Sequence, residues 1–201
     1  MTVPWDRCFA ISWQRNGGQE QTASFMQMIL AGLTDYLSQA DGPPLHTIID
    51  TGCALGDGAR LLAQAFPSAD VTGIDVAPTA IQKATEIGGA SFCCIGLMDP
   101  LPFSADLVTC SNVLEHCHDY LEVLERYMAG CTQLFVILVP LDEQFPLVGD
   151  HFYALDRTSF PTQLNGFHRV YDAEYPGGRY WGGQQLLLIY RRAVCSSSSP
   201  L

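Results

Sequence analysis

Basic residues are scarce in this chain. Ten Lys and Arg stand against 21 Asp and Glu in 201 residues, a formal net charge of -11. A surface this acidic repels phosphate backbones and anionic headgroups at long range, so neither nucleic acid nor a membrane surface is the expected partner. No basic run exceeds Arg191-Arg192. Long apolar runs are missing too. The longest, residues 134–139 (LFVILV), falls far short of the ~20 residues a spanning helix needs. Residues 1–12 lack a basic start followed by an apolar stretch, so no targeting signal is read there. No CxxC occurs among the eight cysteines. Most of them sit in apolar stretches such as SFCCI and LVTCS, where cysteine acts as a small core residue. A chain of this length also builds its core without disulfides. His116-Cys117-His118 is the one run suggestive of metal. Neighbours on a helix point to different faces, so one ion does not reach all three and no metal is expected from it. The expectation is a soluble, reduced, cytoplasmic domain.

What is present is a core-rich composition, 48% hydrophobic and 15% charged, of a size suited to one domain. Residues 1–19 read as irregular, around Trp5, Trp13 and the turn Asn16-Gly17-Gly18. Residues 21–39 carry Phe25, Met28, Ile29, Leu33, Tyr36 and Leu37 at helical spacing. The texture then changes to short strands alternating with helices. Strands are predicted at 47–51, 70–75, 91–95, 106–111 and 134–139. Helices are predicted at 58–66, 78–87 and 119–128, the last burying Leu121, Leu124 and Met128. Such alternation argues a parallel sheet covered on both sides. Residues 166–171 and 185–190 pair across a Gly-rich loop at 175–183. The predicted fold class is therefore α/β: a Rossmann-like doubly wound sheet, mostly parallel, with an antiparallel C-terminal edge hairpin and helices on both faces. Residues 196–201 are expected to form a disordered tail.

The strongest local signal is Ile48-Ile49-Asp50-Thr51-Gly52-Cys53-Ala54-Leu55-Gly56-Asp57-Gly58. A strand ends at an acidic residue, passes through a glycine-rich turn and enters a helix. Glycine lets the backbone approach a ligand closely. The next strand ends in Asp75, at the distance along the chain where a carboxylate meets the ribose hydroxyls of an adenosine lying across the first loop. The order GxxxGxG departs from the GxGxxG of dinucleotide sites, and GxxxxGK[ST] is absent. Asp50 and Asp57 crowd the loop with negative charge, which suits a cationic ligand better than a pyrophosphate.

From about residue 45 to 192 the chain resembles the class I S-adenosylmethionine-dependent methyltransferases of small-molecule type. The family's acidic residue followed by GxGxG is matched by Asp50-Thr51-Gly52-Cys53-Ala54-Leu55-Gly56, with Ala54 in place of the middle glycine. Pro100-Leu101-Pro102-Phe103, Ala105-Asp106-Leu107-Val108 and Ser111-Asn112-Val113-Leu114-Glu115-His116 are similar in register to its LPF, DLV and S-x-VLEH stretches. The resemblance implies S-adenosylmethionine as cofactor and S-adenosylhomocysteine as product. It places Asp50, Gly52, Cys53, Ala54, Gly56, Asp75, Val76 and Ser111 at the cofactor. The family's usual adenine-binding aspartate falls at Leu97, which leaves adenine to apolar packing and to backbone groups of Leu97 and Met98, or to Asp99. The segment Trp13-Gln14-Arg15-Asn16-Gly17-Gly18 looks like the entry segment of small methyltransferases of sugar and glycan modification. It implies a lid segment and helix over residues 1–44, ahead of a methyltransferase domain over 45–195.

Other residues carry two readings each. His116 either packs against adenine, borders the acceptor, or caps a helix. His118 and Asp119 mark a helix start. His151 lies in a long connection, residues 140–161, and is the first choice for a general base, since an ordinary histidine pKa near 6.5 suits proton removal. The alternative is a surface-loop histidine. Arg157 either binds an acidic acceptor group or pairs with Asp156. Tyr175, Tyr180 and Trp181 form a stacking wall or hairpin packing. The expected function is methyl transfer to an oxygen or nitrogen of a small-molecule acceptor, a sugar or glycan precursor among the candidates. The alternatives are an NAD(P)-dependent Rossmann oxidoreductase and a non-catalytic S-adenosylmethionine-binding scaffold. Oligomeric state is not read from the sequence.

Overall fold

Central strands of a parallel sheet are buried on both faces and therefore need apolar side chains at consecutive positions. The computed structural model describes residues 4–39, 42 and 44–193, and the tail expected to be disordered lies outside them. Its elements in chain order are α1 (Pro4–Ile11), α2 (Gly18–Gln39), β1 (Thr47–Thr51), α3 (Asp57–Ala65), β2 (Asp70–Asp75), α4 (Pro78–Ile87), β3 (Ser91–Cys94), β4 (Ala105–Ser111), α5 (Tyr120–Ala129), β5 (Cys131–Leu141), β6 (Gln163–Leu164), β7 (Phe167–Pro176) and β8 (Gln184–Arg192). The strands form one sheet in the order β3-β2-β1-β4-β5-β8-β7-β6. β1 to β5 run parallel, and β8 is antiparallel to both its neighbours. Among the described residues no helix is long and apolar enough to cross a membrane.

The period-2 geometry of strands divides the core in two. In β5, Phe135, Ile137 and Val139 face one layer with Leu186, Leu188 and Tyr190 of β8 and Val123, Leu124 and Met128 of α5. Leu134, Val136 and Leu138 face the other, with Leu187 and Ile189 and with Phe25, Ile29 and Leu33 of α2. Gly32 sits in the middle of α2 because a Cβ there would lie 2.0 Å from Leu187 Cδ2. The helix thus rests directly on the sheet.

Three sequence expectations need correction. Residues 4–11 are helical, not irregular: Phe9 is buried against the first loop, a tertiary contact with no long periodic pattern to announce it. Leu121 is 43% exposed, and α5 instead buries Val123, Leu124, Tyr127 and Met128, a stripe at whose border Leu121 falls in the first turn. β5 runs on to Leu141, so the long connection begins at Asp142. The antiparallel C-terminal hairpin stands at the sheet edge as expected: β8 lies beside β5, with β7 and the short β6 outside it.

At the amino ends of the parallel strands, Asp106 gathers four donors. Its carboxylate accepts from the N–H groups of His46 and Thr47, from Thr132 Oγ1 and from Gln133 Nε2, at 2.8 to 3.2 Å. Burial alone would raise its pKa, but these donors outweigh it and hold the carboxyl below its ordinary range. Asp106→Ala should therefore destabilise the fold by about 1–3 kcal/mol, the cost of leaving those donors unpaired. Chemical denaturation checks this. The stabilisation is present above the ordinary carboxylate pKa and is lost on acidification, so the variant and wild type should converge at low pH.

Candidate active site

The predicted site residues cluster at or past the carboxyl ends of the parallel strands, where an open α/β sheet presents ligands. Asp50 lies one residue before the end of β1 and is buried. Its Oδ1 accepts from Thr109 Oγ1 of β4 at 2.8 Å. Burial drives its pKa up, the Thr109 bond opposes this and Asp75 adds to it, leaving the carboxyl pushed up to about 7. The loop that follows is held in left-handed conformations, with φ of 67° at Gly52, 50° at Ala54 and 82° at Gly56. A Cβ on Gly52 would lie 2.3 Å from Val113 Cγ2, and one on Gly56 2.4 Å from Phe92 Cε1. These glycines are required by packing as well as by φ. Cys53 is buried, and its thiol is pushed well up, chiefly by burial and then by Asp50 and Asp75, so the loop holds no thiolate nucleophile. Asp57 does not add a free negative charge: Arg60 pairs with it at 2.7 Å.

Asp75 ends β2 and ties the loops together. Its Oδ2 accepts from Ala54 N–H and its Oδ1 from Ala77 N–H, both at 2.9 Å. Burial raises its pKa, and these N–H groups lower it by less. A carboxylate has about four lone-pair directions, so two remain for hydroxyl donors. Val76 follows it, its carbonyl facing Cys94 Sγ. Leu97 packs its side chain on the core beneath α5. Met98 is partly exposed and its carbonyl accepts from Arg126 Nη1. Asp99 caps its own turn, accepting from Gly96 N–H at 3.0 Å. Ser111 closes β4, with Asn112 Nδ2 donating to its hydroxyl.

Helix α1 covers this edge. Phe9 packs with Ala54, Leu55, Ala77 and Ala80. Asp6 accepts from Thr79 N–H at the start of α4, and Lys83 donates to Phe9 carbonyl, each at 2.8 Å.

Beside the loops lies a second group, assembled from β4, β5 and the chain after each. His116 and His151 meet edge to face with ring centroids 4.6 Å apart. Trp5 of α1 meets His116 at 4.8 Å, and Trp181 stacks on His151 at 5.7 Å. His151 is thus no surface-loop histidine: Nδ1 lies 2.7 Å from Glu143 Oε2, and both side chains are buried. Glu143 Oε1 accepts from Val148 N–H, which fixes the loop. His116 Nδ1 faces Asp150 Oδ2 at 3.5 Å. Burial lowers its pKa, and Asp150 opposes this in part. Glu115 is 1% exposed, its Oε2 has no partner, and burial pushes the carboxyl up to about 8.

Sequence reasoning missed Glu143, although an acidic residue just past the carboxyl end of an apolar strand was the signal to follow. His118 is apart from this group, its ring on Phe152. Asp119 stands at the N-cap of α5 without a side-chain cap bond. Arg157 does not pair with Asp156, which caps the turn Arg157–Ser159; it pairs across to Asp172 and Glu174 of β7. Tyr175 lies against Gly32, away from the histidines, and Tyr180 bonds with Arg179.

Residues 49–133 match the family model described as a methyltransferase domain. Over 45 residues the chain is 40% identical to 2-methyl-6-phytyl-1,4-hydroquinone methyltransferase of Synechocystis sp.. That stretch is 22% of this chain and spans only 14% of the relative's length. Among solved structures, magnesium protoporphyrin IX methyltransferase from Synechocystis PCC 6803, with bound SAH, is similar with a TM-score of 0.65 at 20% identity, over 89% of this chain and 85% of that one. The plantazolicin methyltransferase in complex with SAH gives 0.68 at 14% identity, over 94% and 91%. These two likenesses are of fold.

Asp50 makes a testable demand on stability. The unfolded carboxylate titrates near 3.9, the folded one near 7. The native state therefore binds the extra proton, and this group's contribution is present at low pH and lost as pH rises from about 4 through about 7. Asp50→Asn keeps an acceptor for Thr109 and removes the titration. Relative to wild type, the melting temperature of the variant should rise progressively from about pH 4 to about pH 7, by several degrees, and level off above that. Parallel profiles would show that Asp50 ionises without such a cost.

Proposed function

We propose that this chain carries a class I methyltransferase domain and transfers the methyl group of S-adenosylmethionine to an oxygen or nitrogen of a small-molecule acceptor. The observation that carries this reading is a pair of buried carboxylates at one left-handed loop on the carboxyl edge, Asp50 just before it in the chain and Asp75 bonded to it. Buried acids without a cationic partner suit a ligand that brings its own positive charge. The first loop, from Asp50 through Gly52, Cys53 and Ala54 to Gly56, would cradle the amino-acid end of the cofactor. Asp75 would accept from ribose hydroxyls, Val76, Leu97 and Met98 would border the adenine, and Ser111 would close the edge. When bound, S-adenosylmethionine supplies a methyl group activated by a positively charged sulfur.

The protein's task is then alignment, exclusion of water and, for an acceptor that keeps its proton, removal of that proton. Helix α1 lies over the first loop and shields it, in keeping with a lid role for residues 1–44. His151 would act as base. Glu143 holds Nδ1, which leaves Nε2 to take a proton, and the same carboxylate stabilises the imidazolium that results. His116 borders the same space. Trp5 and Trp181 flank the two rings and suit the flat face of a ring-bearing acceptor, whether a sugar or an aromatic.

Calorimetry with S-adenosylhomocysteine tests the cofactor half. Wild type should bind one equivalent, and Asp75→Ala should weaken binding about 10- to 100-fold, the loss of charge-assisted hydrogen bonds. Asp75→Asn, which keeps one acceptor for the loop, controls for folding. A thermal-shift response to NADH in place of S-adenosylhomocysteine would overturn the reading in favour of an oxidoreductase. For the acceptor half, methyl-labelled S-adenosylmethionine is offered with phenols, carboxylates, sugars and amines. With whichever acceptor is labelled, His151→Ala should lower kcat by about 10²- to 10⁴-fold while leaving S-adenosylhomocysteine affinity unchanged. Full turnover in that variant removes His151 from the chemistry.

A further inference from the structure

We propose that Glu115, His116 and His151 form a binding site for one divalent transition-metal ion of the zinc class. One oxygen of Glu115 and one ring nitrogen of each histidine all lie within 4.8 Å of one another. A tetrahedral zinc with bonds of about 2.0–2.1 Å holds its ligand atoms roughly 3.4 Å apart, so side-chain rotations of about 1 Å close the set. Two imidazoles and a carboxylate are a donor set that suits zinc and its neighbours, with a fourth position left open.

Two observations independent of that spacing point the same way. Glu115 is 1% exposed and its Oε2 has no hydrogen-bond partner. A carboxylate oxygen so buried needs a proton or a cation, and among the described residues no Lys or Arg is bonded to it. The second is the shell behind the ligands. Metal-binding histidines donate their far N–H to a carboxylate or carbonyl, which sets the tautomer and turns the other nitrogen to the ion. His151 has Glu143 at 2.7 Å behind Nδ1. His116 has both the carboxylate and the carbonyl of Asp150 behind its Nδ1, at 3.5 and 3.4 Å. Each ring is thereby left with Nε2 as its free donor. Among the described residues no cysteine belongs to the cluster. Cys117 is turned away, its Sγ donating to Val113 carbonyl at 3.2 Å.

The site stands whether or not methyl transfer uses His151 as base. If it does, cation and proton compete for the same lone pair, and the metal-loaded protein is a state in which proton removal through that ring stops.

Zinc binding is measured on the whole chain by competition with a chromogenic chelator, and ligand type by the absorption of the cobalt form. Wild type should take up one Zn²⁺ with micromolar or tighter affinity. Glu115→Gln and His151→Asn should each weaken it at least 10-fold, and Glu143→Gln, which acts through His151, about 10- to 100-fold. The cobalt form should lack sulfur-to-metal charge transfer. No zinc uptake by wild type, affinity unchanged in the variants, or a thiolate band showing that the metal went to cysteines would each overturn the proposal. S-adenosylhomocysteine affinity on the same samples keeps the two readings separate. Retained affinity without zinc uptake sinks the metal site alone, and zinc uptake without S-adenosylhomocysteine binding sinks the methyltransferase reading alone. Retained affinity in the variants also shows that they are folded.

Discussion

A buried carboxylate at the end of β2 holds the functional edge of this protein together. Asp75 accepts from the first loop with one oxygen and from the start of α4 with the other. The loop after β1 and the loop after β2 therefore cannot move independently. The same device recurs one layer out, where Asp6 of α1 accepts from Thr79 N–H, the next orphan donor of α4. Two acids thus anchor a strand end, a loop and a covering helix to the positive end of one helix dipole. Both bonds are made within the protein itself.

The sheet explains why chemistry collects here. Both faces are sealed by apolar layers, so polar side chains of the central strands have no outlet except at their ends. Asp50, Asp75, Glu115 and Glu143 all sit near the carboxyl end and all are buried. Four buried acids in one region are costly unless something offsets them. Thr109, the loop N–H groups and His151 offset part of the cost. What remains is an edge with an appetite for positive charge, which the proposed sulfonium cofactor and the proposed cation satisfy at two separate places. The overall acidity of the chain is mostly a solvated surface, and its functional share is these few residues.

The parallel half of the fold was legible because its signals are local. Residues 47–51, 70–75 and 78–87 show strand, strand and helix in their own sequence, and Asp50 and Asp75 are recognisable from the turn chemistry beside them. What escaped depends on contacts between distant segments. Nothing near residue 9 says that Phe9 will be seated on Ala54. Leu121 fits the apolar period as well as Leu124 does, and only packing against the sheet centres the buried stripe on Val123, Leu124, Tyr127 and Met128. Arg157 has Asp156 beside it, yet that carboxylate is consumed in capping its own turn, so the guanidinium crosses to β7. The histidine pair is the largest case. His116 and His151 belong to the chain after β4 and after β5, and only the adjacency of those strands brings them together. The run His116-Cys117-His118 drew the eye toward metal through the wrong partners. The physical partner of His116 is thirty-five residues on.

Ala54 shows how a local departure and a distant element are linked. It occupies a left-handed conformation with φ of 50°, which costs an alanine roughly 1–2 kcal/mol that a glycine escapes. Glycine would seem the better residue, and the related motif has it there. But the Ala54 methyl is part of the small apolar cluster on which Phe9 rests, with Leu55, Ala77 and Ala80. Burying one methyl recovers about 0.8 kcal/mol, and more where it completes a packed surface. Its N–H is meanwhile committed to Asp75, which fixes the backbone in the strained form whatever the side chain. The strain is thus imposed by the carboxylate, and the alanine makes use of it. It turns the bare crest of a ligand loop into a seat for α1, so the covering helix and the departure from glycine are parts of one arrangement.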